Sequence, residues 1–284
     1  MGRRMGLLAT YYIILLILLY VPIVLLTLFS FNDGVVLAFP LKGLTTHWYR
    51  DMIGNAELLE ALRSSAIVAV SSSLIATALG GLASIGLLRF KFRGKALFLS
   101  VAVMPLLVPF LILAVSLLIL FAALDIPRSL WTVAAAHTVV SLPYTLLVIA
   151  ARLVGFDPHL EEASQDLGAS YFYTLRRIIL PLIAPALLAA WLVAFTVSFD
   201  EFVIASFLIG RSPTLPVFLF GQLRFANRFP QVVALAIVVM VVSLTLVVIA
   251  EWLQRVGSAA SLSRRVGEPD AEPAPGLVTG KAPA

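Results

Sequence analysis

Glu161-Glu162-Ala163-Ser164-Gln165-Asp166-Leu167-Gly168-Ala169-Ser170-Tyr171-Phe172-Tyr173-Thr174-Leu175-Arg176-Arg177-Ile178-Ile179-Leu180-Pro181 is a polar stretch with long apolar runs on both sides. Runs of that length are membrane spans, so the stretch between them is a folded segment standing in water. Its own signals describe two short helices meeting at a glycine. Asp157 suits a cap whose side chain accepts orphan amides, and Pro158 suits the first helical position. Glu161 and Glu162 fall in the first turn, where negative charge complements the helix dipole. Gly168 can take the left-handed conformation that ends the first helix, and Arg176 and Arg177 sit in the last turn of the second, ahead of Pro181 at the membrane edge. The expectation is a bent helical finger with charged ends.

The order Glu162-Ala163-Ser164, three residues, Gly168, nine residues, then Ile178-Ile179-Leu180-Pro181 resembles the EAA loop of ABC importer permeases, with serine in place of the third alanine. The resemblance implies a coupling region made by Glu161, Glu162, Ala163, Ser164, Asp166, Gly168, Arg176 and Pro181. In that family this region docks into a groove on a separate ATPase subunit and carries its closure to the membrane helices. Read from the residues alone, the same stretch is an amphipathic connecting helix.

Composition sets the class. With 61% hydrophobic and 12% charged residues and a mean hydropathy of +1.04, the chain is an integral membrane protein whose main surroundings are the lipid bilayer. A net charge of +5 taken alone is compatible with nucleic-acid binding, but the basic residues cluster beside apolar spans, which is the positive-inside pattern. The chain has no cysteine, which excludes disulfides and thiolate chemistry, and its three scattered histidines give no metal site.

Six spans are expected, at about residues 7–31, 64–88, 96–123, 129–151, 180–208 and 232–253, with a coupling loop at 152–179 and a disordered Pro/Gly/Ala/Ser-rich tail at 255–284. The first run is longer than the apolar core of a signal peptide and lacks a small-residue cleavage site, so it reads as a retained span. The second is rich in small residues, Ala76, Gly80, Gly81, Ala83, Ser84 and Gly86, and belongs inside a bundle. The third carries Pro105 and Pro109, which bend it. With both termini in the cytoplasm, thirteen lysines and arginines fall on inner segments and seven on outer ones. No G-x-x-x-x-G-K-[ST] phosphate loop occurs, so energy must come from another subunit; the chain itself binds no cofactor, and ATP and Mg belong to the partner ATPase.

The similarity extends over roughly residues 25 to 254. Phe31-Asn32-Asp33, Thr45-Thr46-His47-Trp48-Tyr49, Phe90-Lys91-Phe92-Arg93-Gly94-Lys95, Asp166-Leu167-Gly168-Ala169-Ser170 and Ser198-Phe199-Asp200-Glu201 resemble the second permease subunit of spermidine/putrescine-type importers. That resemblance implies the all-α type I ABC importer transmembrane fold in a bacterial plasma membrane. It also implies three kinds of partner: a homologous permease, an ABC ATPase dimer and a periplasmic or surface substrate-binding protein. The chain is then a transport subunit and not an enzyme. One position departs from the pattern: Phe110 follows Pro109 where polyamine members tend to carry an acid.

Trp48, Ser198, Asp200 and Glu201 are the candidate substrate-pathway residues. Asp200 and Glu201 are the only acids of the fifth span and fall about 30 Å along a helix from Pro181, near the outer side of the hydrocarbon. Carboxylates there offer counter-charge to a cation; the alternative is an interfacial pair reaching water or bonded to Arg211. Trp48 is equally an interface anchor. His137 lies four residues before Ser141 on one helix face, and reads as a neutral histidine bonded to neighbouring helices, since nothing supplies the acid and oxyanion hole of a hydrolase. His159 belongs to the ATPase contact or to solvent, and His47 to the interface. An ion-gradient-driven secondary transporter is the alternative function, and an intramembrane enzyme built on His137 and Ser141 a third.

Overall fold

The computed structural model describes residues 2–36, 38–155, 159–242 and 244–245. Among the described residues the chain is all-α, apart from one isolated antiparallel bridge between Asn32 and Leu44. Two compact units result: Thr46–Val232, and Met1–Thr45 with Val233–Ala284.

In the latter unit, α1 (Gly2–Ser30) is a 29-residue helix. From Leu8 to Ser30 it is apolar and almost bare, as a span facing lipid would be. The bend at Asn32-Asp33-Gly34 is held by buried Asn32, whose Oδ1 accepts from the Lys42 amide at 3.0 Å.

The larger unit begins with α2 (His47–Ile53) and is built on three long helices: α3 (Ala56–Arg89), α6 (Leu130–Val154) and α9 (Leu180–Phe199). Between the first two lie α4 (Lys95–Val103), a short 3-10 turn at Met104–Leu106, and α5 (Phe110–Ala123). The small residues of α3 bring it against α6. A methyl group added at Gly80 would overlap Thr145 Oγ1 and meet the Leu146 amide nitrogen at 2.9 Å, so only glycine allows this approach. Two hydrogen bonds cross the same seam, from Thr145 Oγ1 to the Ala76 carbonyl and from Ser84 Oγ to the Leu146 carbonyl, both 2.8 Å.

Among the described residues four helices are long and apolar enough to cross a membrane: Leu8–Ser30, Ala56–Arg89, Leu130–Val154 and Tyr171–Phe199. Three expected boundaries are corrected. The second span begins at Ala56 rather than Ser64, because the Asn55 side chain caps it, accepting from the Leu58 amide at 3.1 Å, and Leu58 and Ala61 are buried. The third is two limbs, Lys95–Leu106 and Phe110–Ala123, bent by 105° at the prolines, neither long enough alone to cross a bilayer. The fifth runs from Tyr171 and stops at Phe199; the chain breaks at Asp200 and resumes as α10 (Val203–Leu208). After α11 (Leu215–Gln222), α12 (Phe229–Val242) covers most of the described part of the expected sixth span. Apart from residues 244 and 245, the remainder of that span, the tail at 255–284 and Asp157-Pro158 lie outside the described residues.

Gly80→Val should force α3 off α6 and cost about 1–3 kcal/mol by overpacking. A lowered midpoint of thermal unfolding in detergent is the expected result, whereas Gly86→Val, where a methyl group meets nothing within 4 Å, should leave that midpoint nearly unchanged.

Candidate functional site

Two polar constructions stand out in the larger unit, one at each end of α9. Preceding it is the finger, made of α7 (His159–Asp166), α8 (Tyr171–Thr174) and a five-residue π-turn at Leu175–Ile179. Gly168 ends α7 with φ +85°, its amide bonding the Gln165 carbonyl at 2.8 Å while the Ala169 amide bonds that of Ser164 at 3.1 Å. This reciprocal pair closes a helix on a left-handed glycine. Ser170 caps α8 by accepting from the Tyr173 amide at 3.3 Å, and Ser164 Oγ and Thr174 Oγ1, 2.9 Å apart, tie the two short helices together.

The second half of the finger departs from expectation. α8 runs without interruption through the π-turn into α9, so Arg176 and Arg177 sit inside one long helix and not in a last turn. Pro181, which has no N–H to donate, directly follows the place where the hydrogen-bond ladder slips by one residue.

The finger residues divide by direction. Glu161 and Ser164 turn inward and are buried, Glu161 pairing with Arg89 of α3 at 2.6 Å. Glu162, Ala163, Asp166, Gly168, Arg176 and Pro181 are exposed. Glu162 bonds exposed His159 at 3.2 Å, a surface pair of small worth. Leu167 at the tip is 90% exposed and Phe172 is 69% exposed. Neither figured among the sequence candidates, although an apolar residue beside a helix-ending glycine is the available signal for a contact surface.

Beyond α9 lies the break that holds Asp200 and Glu201. Glu201 is buried, and its carboxylate accepts from the amides of Ile204 at 2.9 Å and Ala205 at 3.0 Å, closing the start of α10. His137 of α6 reaches the same carboxylate through Nε2 at 3.1 Å and Ser198 Oγ through Nδ1 at 2.8 Å. Ser72 of α3 donates to Ser198 at 2.8 Å. A carboxylate only accepts, so Nε2 donates to Glu201, while Nδ1 and the Ser198 hydroxyl share the next hydrogen bond in the chain.

Sequence reasoning paired Glu201 with Asp200 as pathway acids; the fold separates them. Asp200 is exposed at the break, while Glu201 and Ser198 are consumed in the network. Ser141 is buried and outside it, so the pair proposed with His137 does not form. Trp48 is half-buried on α2, its ring centroid 3.8 Å from that of His47. Phe110 packs against the apolar cluster that includes Ile204 and Leu208.

Residues 76–257 match the family described as the binding-protein-dependent transport system inner membrane component. The chain belongs to this family. As one of these permeases it is an inner-membrane transport subunit and not an enzyme. It is 37% identical over 238 residues to the spermidine/putrescine transport system permease protein PotC of Escherichia coli, covering 84% of this chain and 89% of that one. The PotC of Haemophilus influenzae is 39% identical over 239 residues, covering 84% and 92%. The putrescine permease PotI of Escherichia coli is 35% identical over 230 residues, covering 78% and 81%. A chain of a bacterial ABC transporter that imports the acidic polysaccharide alginate has the same fold, with TM-score 0.72 at 15% identity over 89% of this permease and 95% of that chain. So does a chain of the alginate transporter in complex with its pentasaccharide-bound periplasmic protein, with TM-score 0.72 at 16% identity over 89% and 94%.

Glu201→Ala would strip the first amides of α10 and leave a buried imidazole without its acceptor, a loss of about 3–5 kcal/mol for a broken buried pair. Glu201→Gln keeps an acceptor for the amides and should cost far less, and Asp200→Ala almost nothing. Unfolding midpoints of the three purified variants should fall in that order of severity.

Proposed function

We propose that this permease is one of two membrane subunits of an ATP-driven importer of small polyamine-like cations, six-spanning with both termini in the cytoplasm. The observation that carries the proposal is the finger: a helix closed by left-handed Gly168 that presents Glu162, Asp166 and a bare Leu167 on a segment joined to a membrane helix. An exposed leucine on a charged tip suits the groove of a partner, and the partner is the ATPase that the family requires. ATP binding would close the ATPase pair, draw the two fingers together and open the cavity outward to the docked binding protein. Relatives named for spermidine and putrescine favour a polyamine cargo, and the excess of basic residues on inner segments supports the orientation.

In the pathway, Asp200 is the acid available to a cation, since it is exposed at a helix break, where unwound backbone typically lines a cavity. Glu201 acts behind it as a fixed support. A secondary transporter would need neither an ATPase nor the finger.

Gentle purification from the native membrane should recover an ATPase and a second permease with this chain in a two-to-one-to-one ratio; recovery of this chain alone across several detergents would overturn the reading. Within that assembly Gly168→Val places a β-branched residue at positive φ in open space, costing about 1–2 kcal/mol locally. It should leave insertion intact while abolishing the coupling of ATP hydrolysis to uptake, measured in proteoliposomes; normal coupling would exclude the docking role.

Asp200→Asn should raise the putrescine concentration for half-maximal uptake about tenfold, the equivalent of roughly 1.4 kcal/mol, with assembly unchanged. An unchanged concentration dependence would remove Asp200 from the path.

A further inference from the structure

The finger is continuous in sequence with α6 and α9, whereas α3 ends 72 residues before Glu161 and can feel its motion only through contact. Besides the apolar packing of Ile85 and Leu88 with Leu175 and Ile179, two specific contacts join the end of α3 to the finger. Arg89, the last residue of α3, pairs with Glu161 in the first turn of α7 at 2.6 Å, with side chains only 16% and 10% exposed. Next to it, the rings of Phe90 and Tyr171 meet edge to face with centroids 5.7 Å apart. Glu161 immediately precedes exposed Glu162 on the same short helix, so a push on the outer face displaces the inner one. Separating two largely desolvated charges is costly, and the guanidinium should therefore follow the carboxylate.

What α3 would do with that displacement is set at its other end. Ser72 donates to Ser198 in the network that closes the α9–α10 break beside Asp200. Arg89 lies 17 residues beyond Ser72 on one uninterrupted helix, about 25 Å away. One element thus touches the finger with a charge and the break with a hydroxyl.

We infer that the Arg89–Glu161 ion pair makes α3 a transmission element, carrying displacement of the coupling finger to the helix break that bears Asp200. Arg89 is a positioning residue here, acting through Glu161 and α3 rather than on the cargo. The inference rests on the finger docking an ATPase, as proposed above.

The test is a charge-swap cycle in the full assembly of both permeases and the ATPase, reconstituted with the binding protein. It compares Arg89→Glu, Glu161→Arg and the double variant, reading putrescine uptake per ATP hydrolysed alongside ATP hydrolysis without binding protein. Each single reversal should lower uptake per ATP about tenfold while the binding-protein-independent hydrolysis persists, and the double should recover most of it, as contacting residues do in such cycles. Unchanged coupling in the single variants, or no recovery in an assembled double variant, would overturn the inference. Should the reversals fail to assemble, the uncharged variants Arg89→Gln and Glu161→Gln decide it: reduced coupling supports the link and full coupling overturns it. ATP-driven uptake by the unaltered assembly is a separate arm that tests the underlying reading by itself.

Discussion

The amides of Ile204 and Ala205 start a helix at fully buried residues, out of reach of water. Glu201 supplies the missing acceptor from within the break itself, so one carboxylate lets a span stop at Phe199 and restart at Val203 without orphaned backbone. A buried carboxylate is itself costly, and the imidazole of His137 answers that cost by donating to it. His137 is in turn held by Ser198, and Ser198 by Ser72. The break, the histidine and both serines therefore form one interdependent unit that joins α3, α6, α9 and α10.

The same logic explains the close seam between α3 and α6. Helices in lipid gain little from burying apolar side chains against each other, so contact and hydrogen bonding must hold them. Gly80 permits the approach, and Thr145 and Ser84 exploit it by reaching carbonyls across the seam. A tightly joined α3–α6 pair is a stiff body, which is what an element carrying motion from the finger would require.

Much of this was legible in the sequence, because the signals were local. Hydropathy marks the long helices, Gly168 marks the end of α7, and the small residues of α3 mark a bundle interior, each following from the residue's own covalent limits. The boundaries that moved were those set by tertiary contact. Hydropathy alone continues the fifth span through Asp200 and Glu201, since only the capping geometry of Glu201 reveals that the helix stops. Prolines foretell a bend in the third, but the 105° angle depends on what α4 and α5 pack against.

The candidate site shows the same division more sharply. Adjacent acids look equivalent in a sequence, yet a helix end turns successive side chains in different directions, giving Asp200 to solvent and Glu201 to the interior. Glu161 and Glu162 repeat the pattern in the finger, one pairing with Arg89 and the other facing outward. In both pairs the inward acid secures the backbone that presents the outward one. Sequence thus marks where the acids lie, while the division of labour between them follows from which partner each carboxylate meets: amides and an imidazole for Glu201, a guanidinium from a distant helix for Glu161. Because α3 contributes to both arrangements, through Ser72 and Arg89, one continuous helix joins the finger to the break, which is the physical basis for the transmission inferred above.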